Sequence, residues 1–363
     1  MEMNQVIRHF DFSGELISVK AFGSGHINNT YLAEYRDNGK MIKYVIQQVN
    51  TLVFKDIDAL MNNVFAVTDY LRERIIENGG DPERETLHYI RTKSGEKYVK
   101  TEDGACFRAY VFVSDSISYD TADTPELFKR SGAAFGRFQR LLGDFDADSL
   151  VETIPHFHDT PWRFHHEFDP AVQQDPLGKA QTCREEIRFV QEREARLYRI
   201  TDAIANGSIP MRVTHNDTKL NNVLFDEKTG KSLAVIDLDT VMPGSALYDF
   251  GDSIRFGACT VSEEDTDLEK VQFSPEYFKA YAEGFLSEVG SVLTENERNL
   301  LSYASWLITV ECGMRFLTDY LTGSHYFKTD YPQHNLDRAK NQFRLALDME
   351  RKMPQMEKII KEI

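Results

Sequence analysis

The stretch Arg212-Val-Thr-His-Asn-Asp-Thr-Lys-Leu-Asn-Asn-Val-Leu-Phe225, followed closely by Leu233-Ala-Val-Ile-Asp237-Leu-Asp239, decides how this chain is read. Apolar, strand-like runs flank a very polar loop that holds His215, Asp217 and Asn222. A turn over residues 227–231 joins the runs. Antiparallel pairing of residues 223–225 with 233–235 then returns Asp237 toward Asn222.

Acidic and amide groups gathered in this way suit phosphoryl transfer. That chemistry needs one carboxylate to orient and deprotonate an acceptor hydroxyl, and oxygen ligands to hold Mg2+ between phosphates. An H-x-D pair alone is a weak signal. H-x-D-x-x-x-x-N followed by an apolar strand ending in Ile236-Asp237 is considerably more specific. Asp239, two residues further on, reads either as a ligand of a second metal or as a support for Asp237.

Working outward toward the N-terminus, residues 17–22, 30–35 and 43–49 read as strands, with a turn at Asp37-Asn38-Gly39-Lys40. Gly23-Ser24-Gly25 lies between the first two, where Gly23 and Gly25 let backbone N–H groups come close to phosphate oxygens. Asn28 stands where a third glycine of such a loop would be. A helix is expected over 56–78, with Leu60, Val64, Val67, Leu71 and Ile75 on one stripe and Gly79-Gly80 at its end. Strands over 87–91 and 107–113 follow, and Ser114-Asp115-Ser116 breaks the apolar run.

The remainder is helical in pattern: a stripe from Leu127 to Leu142 introduced by Pro125, then 183–206, 275–289, 295–321 and from 335 onward. The fold class read from this is α+β with two lobes. Residues 1–113 form an antiparallel-sheet lobe that binds nucleotide, with Phe112 and Val113 at its hinge. Residues 114–363 form a larger helical lobe carrying catalysis and the acceptor.

Composition narrows the partners. Lys+Arg 42 against Asp+Glu 58 gives a net charge of -16, which opposes binding to nucleic-acid backbones and anionic membranes. The cysteines at 106, 183, 259 and 312 are scattered, as expected of reduced thiols. The first residues lack a signal-peptide pattern, and no stretch approaches the roughly 18 apolar residues of a membrane span, so a cytoplasmic protein is expected.

On the loop and hairpin just quoted, the chain resembles the aminoglycoside phosphotransferase and choline kinase group, whose fold is similar to that of protein kinases. The resemblance implies ATP and Mg2+ as cofactors, Asp217 as catalytic base, and Asn222 with Asp237 as magnesium ligands. It also implies that His215 braces the loop, with Asp249 as partner. Asp249-Phe250-Gly251 spells the magnesium-binding tripeptide of protein kinases, but it follows the hairpin instead of ending it, so Asp237 takes that role. Kinase lobes of this kind place a Lys on the third strand and a Glu on the following helix. Here Tyr44-Val45-Ile46-Gln47-Gln48 offers Gln47, and residues 50–68 contain no glutamate.

A narrower resemblance reaches most of the chain. Segments Gly25-His-Ile-Asn-Asn-Thr-Tyr31, Gln47-Gln48, His156-Phe-His-Asp-Thr160, Phe250-Gly-Asp-Ser-Ile-Arg-Phe-Gly257 and Glu311-Cys-Gly-Met-Arg-Phe316 are similar to those of N-acetylhexosamine 1-kinases. That family also lacks the lysine. The resemblance implies phosphorylation of the anomeric hydroxyl of N-acetylglucosamine or N-acetylgalactosamine, with Gln47 on the nucleotide side. It places Asp217, Phe256, Arg315 and Tyr326 at the sugar, in a monomer or weak oligomer. The competing readings are a choline, homoserine or aminoglycoside kinase, or a non-catalytic nucleotide-binding module.

Overall fold

The computed structural model describes residues 3–22 and 28–363. The expected loop glycines Gly23 and Gly25 lie outside the described residues. Chain contacts divide the protein into two compact units. The first comprises residues 1–118, 144–154 and 222–242, and the second comprises 119–143, 155–221 and 243–363. Where the sequence suggested one cut at 113/114, the first unit therefore also takes back the 222–242 hairpin. The physical reason is strand pairing, described next.

In the first unit, strands β1 (Glu15–Ala21), β2 (Asn29–Asp37), β3 (Lys40–Val49), β4 (Tyr89–Ile90), β5 (Val99–Lys100) and β6 (Cys106–Val111) form one sheet in the order β1-β2-β3-β6-β4, with β5 also on β6. All these pairings are antiparallel. The β2–β3 turn is set by Asn38 and Gly39, both at positive φ (49° and 80°), which matches the twist of a tight hairpin. Phe10, Ala33, Ile46, Phe107 and Ala109 are buried beneath the sheet. The helix Ile57–Glu77 is capped by Asp56, whose side chain accepts from the Ala59 N–H at 2.9 Å. Its expected stripe from Leu60 to Ile75 is buried.

A second small sheet in this unit has the order β10-β9-β7, from β7 (Ser116–Ile117), β9 (Val223–Asp226) and β10 (Ser232–Val235). Ile117 faces Phe225 across it, which is why the hairpin joins the unit that holds residues 116–117.

The second unit is mainly helical, and within it β8 (Arg212–Thr214) leads into the polar loop. The helix Glu295–Thr322 opens with a capping box between Thr294 and Glu297 and closes on Gly323 at φ 120°. It is buried on most sides, with Glu297, Glu311 and Asp319 among its buried residues. The helix expected over 183–206 is instead broken into Arg184–Gln191, Arg199–Ala205 and short turns, because its charged residues leave too narrow an apolar stripe to hold one rod. The sequence also hid a helix at Ala246–Gly257, which absorbs Asp249-Phe250-Gly251. No helix among the described residues is long and apolar enough to cross a membrane.

Helices Pro125–Leu141 and Pro275–Val289 approach backbone to backbone. A Cβ added at Gly284 would meet the Lys129 carbonyl oxygen, and one added at Gly132 would meet that of Tyr281. Replacing Gly284→Ala should therefore lower stability by about 1–3 kcal/mol through overpacking. The midpoint and slope of urea unfolding will show this, and an unchanged midpoint would contradict the close approach.

Candidate active site

The loop after β8 is held from below by one helix. Asp249 on Ala246–Gly257 is fully buried and accepts the backbone N–H of His215 at 3.0 Å, the N–H of Asn216 at 2.8 Å and the amide of Gln139 at 2.7 Å. One turn later, Asp252 accepts the N–H of Thr218 at 3.0 Å. The Thr218 hydroxyl donates to the Asp249 carbonyl at 2.7 Å, and the Ser253 hydroxyl to the Thr218 carbonyl at 2.9 Å. These bonds fix the backbone on both sides of Asp217. Burial pushes the Asp249 carboxyl above its usual range, against the pull of its donors and of His215. Asp252 stays below its range because Arg255 and Lys219 more than offset its burial.

His215 and Asp249 meet, but through the backbone of His215. The imidazole turns inward between Phe135 and Phe138, with ring centres 5.6 and 5.9 Å away, and its Nδ1 accepts the Asp217 N–H at 3.2 Å. Asn216 has φ 66°, so the chain swings through the left-handed region just before Asp217. The Asp217 carboxylate is partly exposed and pairs with the Lys219 ammonium at 3.0 Å. Asp217 raises the Lys219 pKa. The sequence reading passed over Lys219, although a cation two residues after the expected base was a legible signal.

In the first unit, Val235 pairs with Val223, and the Ile236 N–H donates to the Asn222 carbonyl at 2.9 Å. The hairpin thus places Asn222 and Asp237 at neighbouring strand ends, as its sequence pattern required. Asp237 has φ 60°, a second non-glycine left-handed residue at the motif. Among the described residues, no group of three or more His, Cys, Asp or Glu is arranged to hold a metal ion. The oxygen donors of Asn222 and Asp237 nevertheless fit Mg2+, which takes one or two protein ligands and completes its shell with phosphates and water.

Gln47 lies opposite Arg108 on β6, and its carbonyl oxygen accepts from Arg108 Nε and Nη2 at 3.0 and 2.8 Å. Phe112 packs edge-on to Phe22, and Val113 is buried. In the second unit, Arg315 Nη2 donates to the Tyr326 hydroxyl at 3.3 Å, and the guanidinium lies over the rings of Phe157 and Phe327. Phe256 is half-buried at the end of the helix Ala246–Gly257.

Two of the quoted segments, His156–Thr160 and Glu311–Phe316, meet in a buried cluster. Glu311, one turn before Arg315, is buried and accepts from His158 Nδ1 at 2.7 Å and from the Thr160 hydroxyl. A carboxylate can only accept here, which assigns the proton to Nδ1. His158 Nε2 is buried without a hydrogen-bond partner among the described residues.

Residues 18–286 match the phosphotransferase enzyme family, APH. Among solved structures, the chain is similar to a microcompartment-associated aminopropanol kinase, at 16% identity over 97% of each chain with a TM-score of 0.60. It is also similar to choline kinase from Cryptosporidium parvum, at 13% identity over 93% of this chain and 90% of that one, TM-score 0.57. Aminoglycoside phosphotransferase from Alicyclobacillus acidocaldarius aligns at 13% identity over 100% and 97%, TM-score 0.57. At such identities the likeness is one of fold: an antiparallel sheet in the N-terminal region and helices in the C-terminal region.

Burial works against the Glu311 charge, but His158, Arg163 and Arg315 hold its pKa below the usual value. A lowered carboxylate stabilises the fold above its unfolded pKa and loses that contribution as pH falls through the folded value. Glu311→Gln should cost roughly 2–4 kcal/mol at neutral pH. The deficit should hold above about pH 4.3 and close at lower pH. Urea unfolding of both proteins across pH tests this, and a deficit independent of pH would contradict it.

Proposed function

The chain belongs to the phosphotransferase enzyme family, and from that premise we propose that it is an ATP- and magnesium-dependent kinase that phosphorylates the anomeric hydroxyl of an N-acetylhexosamine. The observation that carries the catalytic part is the pair of left-handed residues at the motif, Asn216 beside Asp217 and Asp237 itself. Backbone in this region costs up to about 1–3 kcal/mol per residue and persists where the surroundings enforce it, most often at functional sites. Here Asp249 and the β9–β10 hairpin enforce it.

Bound ATP with magnesium supplies the γ-phosphoryl group and the ADP leaving group. Asn222 and Asp237 would hold the metal. Asp217 orients the anomeric hydroxyl and takes its proton while the sugar oxygen bonds to the γ-phosphorus and the bond from that phosphorus to ADP breaks. Lys219 brings a positive charge beside Asp217, which matters because Gln47 is neutral. The products are a sugar 1-phosphate and ADP. Phe112 and Val113 would border the nucleotide, and the cytoplasm would supply it.

Arg315, with Tyr326 and Phe256, supports a neutral amino sugar as acceptor. A guanidinium can donate to sugar hydroxyls and an acetamido carbonyl, whereas it repels the ammonium of choline or an aminoglycoside.

Asp217→Asn should lower kcat by at least about a hundredfold while leaving ADP affinity nearly unchanged. Single-turnover kinetics and calorimetric titration with ADP separate the two effects, and near-normal turnover would remove Asp217 from its role. A screen of ADP release over N-acetylhexosamines, plain hexoses, choline, aminopropanol and aminoglycosides tests the acceptor. Phosphorus NMR should show an anomeric phosphate from N-acetylglucosamine or N-acetylgalactosamine. Turnover confined to amines would overturn the sugar assignment and keep the kinase.

A further inference from the structure

Arg108 is among the largest fully buried side chains, at 1% exposure. Burying a guanidinium is costly unless its donors are answered. Two of its nitrogens meet the Gln47 carbonyl oxygen, and the third, Nη1, meets the Asp239 carboxylate at Oδ1. The other oxygen of Asp239 accepts from the Asn28 amide at 2.8 Å, and the Asn28 carbonyl oxygen accepts the Asn50 N–H at 3.0 Å. Asn28 directly follows the segment holding Gly23 and Gly25 in sequence. All these residues belong to the first unit.

On the helix Ile57–Glu77, which follows β3, Asn63 is buried. Its side chain is committed to backbone, donating to the carbonyls of Val151 and Val241 at 2.7 and 3.0 Å and accepting the Val151 N–H at 3.0 Å. With Gln47 on strand three and no glutamate over residues 50–68, the usual Lys–Glu link has no counterpart at those places.

We infer that Arg108 and Asp239 supply that link in relocated form: Arg108 on β6 clamps Gln47 and Asp239, and Asp239 in turn anchors Asn28 at the end of the glycine segment. This rests on the kinase reading above. At 1% exposure Arg108 is too deep to serve as a phosphate ligand, so it is a positioning residue. Asp239 is held on one oxygen by the Arg108 guanidinium as an ion pair and on the other by the Asn28 amide, so Asp239 is assigned to this clamp and the metal to Asp237.

The test is binding of Mg-ADP by calorimetry to the full chain and to Arg108→Gln, Asp239→Asn and the double variant. The double variant removes both buried charges at once and keeps the test open if Arg108→Gln alone, which strands a buried carboxylate, fails to fold. Circular dichroism checks folding. Each folded variant should bind Mg-ADP at least about tenfold more weakly than wild type, and the double variant no worse than the weaker single, as expected of coupled groups. Manganese titration with ADP, followed by electron paramagnetic resonance, should give wild type and Asp239→Asn the same number of bound ions. A folded double variant with wild-type affinity overturns the inference, as does one fewer bound ion in Asp239→Asn. Wild type that fails to bind Mg-ADP overturns the kinase reading itself, a distinguishable outcome.

Discussion

A carboxylate removed from water must find donors, and much of the second unit is arranged around one that has done so. Asp249 sits fully buried on a helix and is answered by consecutive backbone N–H groups of the loop that holds Asp217. The helix in turn is held by close packing, with Gly251 against the backbone of Ala304. Position is therefore transmitted from the long buried helix through Ala246–Gly257 to the loop by contacts that allow little adjustment. The loop's left-handed step at Asn216 is tolerable because its flanking amides are already spent.

The first unit solves a different problem, the placement of positive charge. The cation on β6, Arg108, is enclosed and neutralised by the Asp239 carboxylate. The unit thereby keeps a charged link inside its sheet while its third strand presents an amide. Lys219, on the same loop, sets its ammonium 3.0 Å from the Asp217 carboxylate. The buried ion pair of Arg108 with Asp239 and the partly exposed pair of Lys219 with Asp217 are thus carried by different residues.

Much of this could be read from the sequence wherever the signal was local. The hairpin 223–235, the Asn38-Gly39 turn and the helices at Ile57–Glu77 and Pro275–Val289 each followed from spacing within a few residues. What escaped was set by partners distant in the chain. Arg108 looks like any strand cation until β3 brings Gln47 beside it and the hairpin brings Asp239. Glu311 figures in the sequence reading only within a family-matching segment, and its enclosure by His158 and Thr160 joins residues about 150 positions apart. The run 183–206 misled in the opposite direction, because charged residues with good helix propensity suggested one rod where burial at Ile187, Val190, Ile200 and Ala203 supports only pieces.

The glycine contact between Pro125–Leu141 and Pro275–Val289 also bears on motion. Where side chains separate two helices, the gap can breathe by rotamer changes that admit water. Here carbonyl oxygens of Lys129, Tyr281 and Phe285 lie directly against the facing glycines, so at these three points no side chain stands between the backbones. Local loosening at these points requires the two backbones themselves to separate, so amide hydrogens beside them are expected to be among the slower to exchange in the second unit.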